Sequence, residues 1–231
     1  LSKKKIDHEV VDVLNDPGGR ERLLALGVRN VPVVSKGKRY VQGQKLEDVA
    51  EFVGLEGTGH TPLPPDQLIK KWIIALRAAQ RYVRQLSPQQ LQEDVIPNRP
   101  RQIRIMSHHI FRICESYLNS VENGVEYAVG DANLPPGDDI KTGEHIAQYG
   151  EAVIARLEKW WLGVADKSLK ADINTYYGKQ PMHVVFERST WHSAQHGRQL
   201  VHVLERYGIK PDQPLTADDL AGLPLPERLF E

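Results

Sequence analysis

Cysteine is almost missing from this chain: Cys114 is the single thiol in 231 residues. One cysteine excludes an internal disulfide framework and points to a reducing compartment, the cytoplasm. Charge of one sign is missing too, since 30 basic and 30 acidic residues cancel. Without a net field or a basic stripe, nucleic acid and anionic membrane count as poor partners. No apolar run approaches the length that spans a bilayer. The start, Leu1-Ser2-Lys3-Lys4-Lys5, has no apolar stretch behind it and does not read as a signal peptide. The motifs G-x-x-x-x-G-K-[ST], G-x-G-x-x-G and G-x-S-x-G are absent, so nucleotide binding and serine hydrolysis have no sequence support. Internal repeats and low-complexity tracts are absent as well.

What is there divides into two parts. Residues 57–65 are rich in glycine and proline and read as a linker. Residues 1–56 before it hold short, mixed elements. Val10, Val11 and Val13 predict a strand over residues 6–14. Asp16-Pro17 predicts a short helix that carries Leu23, Leu24 and Leu26 and stops at Gly27. Residues 31–34 and 39–41 predict two strands around a Lys36-Gly37 turn, and residues 46–53 a closing helix. The order is βαββα.

Residues 66–231 carry helical periodicity. Asp66 is placed to cap a first long helix with Ile69, Trp72, Ile73, Leu76, Ala79 and Val83 on its stripe. A second runs over about 100–121, a third starts at Thr142, and a fourth spans about 182–207 before Gly208. Four amphipathic helices of similar length predict an all-α four-helix bundle. The tail, 215–231, reads as an irregular strap.

Histidine supplies the chemistry. His192 and His196 stand four residues apart on the fourth helix, so they share one face. Two imidazoles so placed can grip one metal ion. On the second helix, His109 borders the apolar stripe while His108 points nearly opposite it, which selects His109 as a third ligand. Gln199 and Arg188 fall on the face of the pair as neighbours for a ligand or substrate. His183 and His202 fall off it and read as surface residues. Spacing leaves two readings open, a metal site or a hydrogen-bonded, solvated pair.

Three further features carry two readings each. Arg99, Arg101 and Arg104 either bind a substrate carboxylate or phosphate or, as charge runs usually do, form a solvated face. Trp160-Trp161 and Tyr176-Tyr177 line a pocket or fill the core. Cys114, on an apolar stripe, reads as a small core residue rather than a nucleophile.

The helical part resembles the DinB superfamily of four-helix proteins. The resemblance rests on His109-Ile110, on His192 and His196 with Gln199 nearby, and on Trp72. It implies a divalent metal held by His109, His192 and His196 at one end of the bundle. Zinc, nickel and iron all suit imidazole ligands. It further implies a thiol-dependent transferase or isomerase that takes glutathione or another small thiol and a small-molecule electrophile. A metal-bound thiol or water would then be the reactive group, with Gln199 as its neighbour. A homodimer, a metal-dependent hydrolase and a non-catalytic stress-response module are the other forms such a chain can take.

The first part resembles the later portion of a glutaredoxin or thioredoxin-like domain. The run Gly27-Val28-Arg29-Asn30-Val31-Pro32-Val33-Val34 is similar to that family's proline loop, with Pro32 as the cis proline. The resemblance implies thiol binding by the backbone of Val31 and Pro32, with Gly43 nearby. The family's first strand and C-x-x-C motif have no counterpart here, so dithiol redox chemistry is not expected. The expectation is a chain trimmed from a longer protein.

Overall fold

A computed structural model describes residues 1, 4–13, 16–29, 31–57, 59–96 and 99–230. Ser2, Lys3, Asn30 and the side chain of Arg99, named above, lie outside the described residues, as do Leu14, Thr58 and Glu231 within the ranges read above. The chain divides into two compact units, Leu1–Thr61 and Pro62–Glu231.

The first unit contains α1 (Gly19–Ala25), β1 (Val33–Lys36), β2 (Arg39–Gln42) and α2 (Leu46–Phe52). Leu26 and Gly27, at φ +76°, end α1, as expected from glycine's tolerance of left-handed backbone. The strands form an antiparallel hairpin that pairs Val33 with Gln42 and Lys36 with Arg39. The strand expected over 6–14 is corrected: residues 6–12 form no strand and no helix. The physical reason is the lack of a buried face: none of residues 6–13 is buried, and β-propensity counts for little without packing. Val10, whose β-propensity prompted the expectation, is 65 % exposed. The second expected strand begins at Val33 rather than Val31, after a cis Val31–Pro32 peptide.

The second unit is mostly helical. It runs α3 (Pro65–Arg84), β3 (Asp94–Ile96), β4 (Arg99–Gln102), α4 (Ile103–Asn123), α5 (Val129–Ala132), α6 (Gly143–Gly163), β5 (Asp172–Thr175), β6 (Gly178–Pro181), α7 (Met182–Arg206) and α8 (Ala217–Leu220). Each of α3 and α4 packs against both α6 and α7. Their apolar faces meet in one core in which Trp72, Tyr82, Phe111, Tyr117 and Phe186 are fully buried. Trp72 meets Tyr117 and Phe186 edge-on, at centroid distances of 5.7 and 5.2 Å, the geometry that aromatic quadrupoles favour. Its Nε1–H donates to Ser193 Oγ at 3.0 Å. Removing such a ring costs about 3–5 kcal/mol.

The helix starts expected at Thr142 and Met182 hold, and the other two shift. Thr142 caps α6 by accepting from the His145 backbone N–H at 3.1 Å. Asp66 does not cap α3; it sits in the first turn, and the cap position is Pro64 with Pro65 at the first helical residue. The second long helix starts at Ile103 rather than Pro100, because residues 99–102 pair with β3. Two hairpins, β3–β4 and β5–β6, lead directly into α4 and α7. Ile103 N–H donates to Glu93 O and Met182 N–H to Ala171 O, each at 2.8 Å. Both ligand-bearing helices are therefore anchored at their first residue.

Candidate metal centre

His192 and His196 lie one turn apart on α7, and His109 faces them from α4. Their nearest ring nitrogens all fall within 4.8 Å of one another, in a grouping of possible metal ligands among the described residues. Ring centroids are 5.4 Å apart for His109 and His192, 5.2 Å for His109 and His196, and 4.8 Å for His192 and His196. His109 and His196 are each only 6 % exposed.

Hydrogen bonds set which nitrogen each ring presents. His109 Nδ1–H donates to the Ala132 carbonyl at 2.5 Å, which leaves Nε2 as a lone pair facing the cluster. That carbonyl is held in place because Arg112 donates to the neighbouring Asp131 O at 2.7 and 3.1 Å. His196 Nδ1–H donates to Gln199 Oε1 at 2.6 Å, while Gln199 Nε2–H donates to Leu229 O at 2.8 Å. The second bond fixes the orientation of the amide and therefore the tautomer of the ring. His192 Nε2 stands 3.1 Å from His196 Nε2. Two ligand nitrogens at about 2.0–2.1 Å from a tetrahedral ion would be about 3.3 Å apart, so this pair already has close to coordinating separation. His192 Nδ1 is buried with no partner among the described residues.

The rings are neutral. Burial first, and then Arg101, holds His109 down to about 3. Burial also holds His192 and His196 well below the ordinary imidazole range, reinforced by neighbouring imidazoles and by Arg101. A buried imidazolium is costly, and a neutral ring is the form that ligates metal. The donor set therefore fits a divalent ion with an open position.

Other expected residues fall elsewhere. His108 is not turned to solvent: it is 5 % exposed and stacks on Tyr149 of α6 at 4.6 Å between centroids. The expectation failed because α4 is covered on several sides, by α6, α7 and α5. His183 is half-buried, with its ring Nε2 2.7 Å from Leu63 O. It is a tie to the start of this unit rather than a free surface residue. His202 is exposed beside Phe230. Cys114 is fully buried, and burial pushes its thiol far above the usual range, which removes it as a nucleophile. Trp161 stacks on the core residue Phe186 at 6.1 Å. In the first unit, Gly43 N–H donates to Pro32 O at 2.8 Å, and a Cβ on Gly43 would lie 2.9 Å from Pro32 Cγ. Val31, half exposed, has its carbonyl 3.3 Å from Gln44 Nε2.

Arg101 departs from the solvated face expected of its run. It is half-buried, and burial alone pulls its guanidinium below the usual range. Ala132 and Leu229 act through backbone carbonyls, which no side-chain pattern reveals. A wide surface hollow lined by Pro88, Gln89, Gln92, Arg104, Asp138 and Lys141 lies elsewhere. Converging ligands, not concavity, mark the site. No family model and no curated protein sequence matches this chain.

Proposed function

We propose that the second unit is a DinB-like four-helix bundle that binds one divalent metal ion on His109, His192 and His196 and uses it in thiol-dependent transfer or isomerisation of a small electrophile. The observation that carries this reading is the set of three neutral imidazoles, His109 and His196 buried and His192 half-buried, two of them fixed by partners that turn Nε2 inward. When bound, a divalent ion supplies a positive charge that keeps a small thiol, such as glutathione, as thiolate at neutral pH. The residues of the chain hold and orient: Ala132 O and Gln199 fix two rings, and Arg112 fixes the loop behind one of them. In transfer, the thiol proton leaves to solvent, sulfur bonds to the electrophilic carbon, and the leaving group departs with its electron pair. The first unit, with its half-exposed Val31 ahead of Pro32, is proposed as a partial thioredoxin-like module whose backbone can pair with a small thiol.

The test is turnover of an aryl halide by the metal-loaded full chain with and without glutathione. Product formation that needs both metal and thiol supports the reading. Turnover without thiol favours metal-dependent hydrolysis. No turnover with any thiol, together with a melting temperature that collapses on chelation, leaves a structural or sensory metal.

A further inference from the structure

Three neutral imidazoles bring no charge to offset a divalent cation. The largest electrostatic influences on the three rings are other imidazoles and the guanidiniums of Arg101, Arg112 and Arg188; none is a carboxylate. Arg188 lies one turn before His192 on α7, so it shares that face. Its Nε–H is buried with no hydrogen-bond partner among the described residues. The phenolic Oη of Tyr177, in the β5–β6 turn that feeds α7, is buried and equally unpartnered. Tyr177 is carried by the hairpin that runs straight into α7, and the charge of Arg188 acts on its phenol. Arg101, in β4, adds a second half-buried guanidinium with no carboxylate ion pair among the described residues. Buried donors without acceptors are uncommon in folded proteins, and such groups mark places where a ligand or water completes the bonding. Guanidinium and phenol donors together match the oxygens of carboxylate and phosphate.

We infer that Arg188, Tyr177 and Arg101 form an oxyanion-binding subsite beside the three-histidine cluster, so that the small electrophile taken by the metal centre carries a carboxylate or phosphate group. This rests on the metal reading proposed above and narrows its substrate class. A metal ion would strengthen the demand, because a divalent charge beside two guanidiniums needs anionic ligands.

Calorimetry on the zinc-loaded full chain tests it, with succinate and inorganic phosphate as probes and neutral succinamide as control. The expected result is binding of at least one oxyanion and none of succinamide; whichever probe binds more tightly names the group. Arg188→Gln and Arg101→Gln should each weaken that binding by about tenfold to a hundredfold, Tyr177→Phe by about tenfold, and Arg188→Lys should restore part of it. Elemental analysis of the same samples should show unchanged zinc. Binding that is equally strong in Arg188→Gln and Arg101→Gln, or absent for both oxyanions, overturns the subsite. Wild-type protein that takes up neither zinc nor nickel overturns the metal reading, and no other outcome of this experiment touches it.

Discussion

At the scale of single residues, the behaviour of the site follows from which nitrogen each imidazole presents. His196 owes its tautomer to Gln199, which is itself pinned by Leu229 O. Gln199→Leu should leave the fold intact and lower metal affinity by about tenfold to a hundredfold, read from competition with a chromophoric chelator; unchanged affinity would remove Gln199 from the orienting role. Acid sensitivity also belongs here. Burial holds His108 down to about 4 and His109 to about 3, against 6.5 for an ordinary ring. Below pH 6.5 the unfolded chain takes up protons that the folded chain refuses, so stability falls as pH drops from about 6.5 toward those values and is level above it. Each such group adds a slope of about 1.4 kcal/mol per pH unit in that window. Urea midpoints of metal-free protein between pH 8 and pH 5 should decline on this pattern, and a flat profile would contradict the burial of neutral rings. His192, His196 and Gln199 were legible in the sequence because helical spacing places them on one face, and His109 because it borders the apolar stripe of its own helix. Arg101 was not, since a run of arginines beside a proline looks the same whether it faces water or a cluster of histidines.

At the scale of elements, close helix contacts depend on particular small residues. A Cβ on Gly143 would stand 2.0 Å from the backbone oxygen of Val83, and one on Gly150 would stand 2.5 Å from Phe111 Cε1. Gly143→Ala cannot be absorbed by a side-chain rotation, because the obstacle is the backbone of α3. It should cost about 1–3 kcal/mol, more than Thr142→Ala, which loses one cap bond worth about 1 kcal/mol. Chemical denaturation of the two variants gives the order, and the reverse order would contradict the contact. The four long helices were readable from apolar periodicity, since burial on one face leaves a repeat that any sequence reading can detect. The β3–β4 and β5–β6 hairpins were not. Their strands have only three or four residues each, too short for an alternating pattern, and β4 contains Pro100, which argues for a helix start as readily as for an edge strand. The expected strand over 6–14 failed for the opposite reason: valine propensity was present, but none of residues 6–13 is buried, so no packed face held the segment in a sheet.

At the scale of the whole molecule, all three candidate ligands and the residues that orient them lie in the unit Pro62–Glu231. A fragment of residues 62–231 should therefore bind metal with the stoichiometry of the full chain and unfold in a single transition; loss of metal in the fragment would mean that the first unit takes part in the site. The tail belongs to this unit as well. Gln195 and Gln199 donate to Leu229 O, and Arg198 donates to Pro226 O, so truncation before residue 226 should loosen the cluster and weaken metal binding. The central claim is that His109, His192 and His196 hold one ion together, and elemental analysis of purified protein beside His109→Ala and His192→Ala tests it most directly. About one metal ion per chain in the wild type, lost from both variants while helical circular dichroism persists, is the expected result. Full metal occupancy in either variant, or none in the wild type after incubation with zinc or nickel, would contradict it.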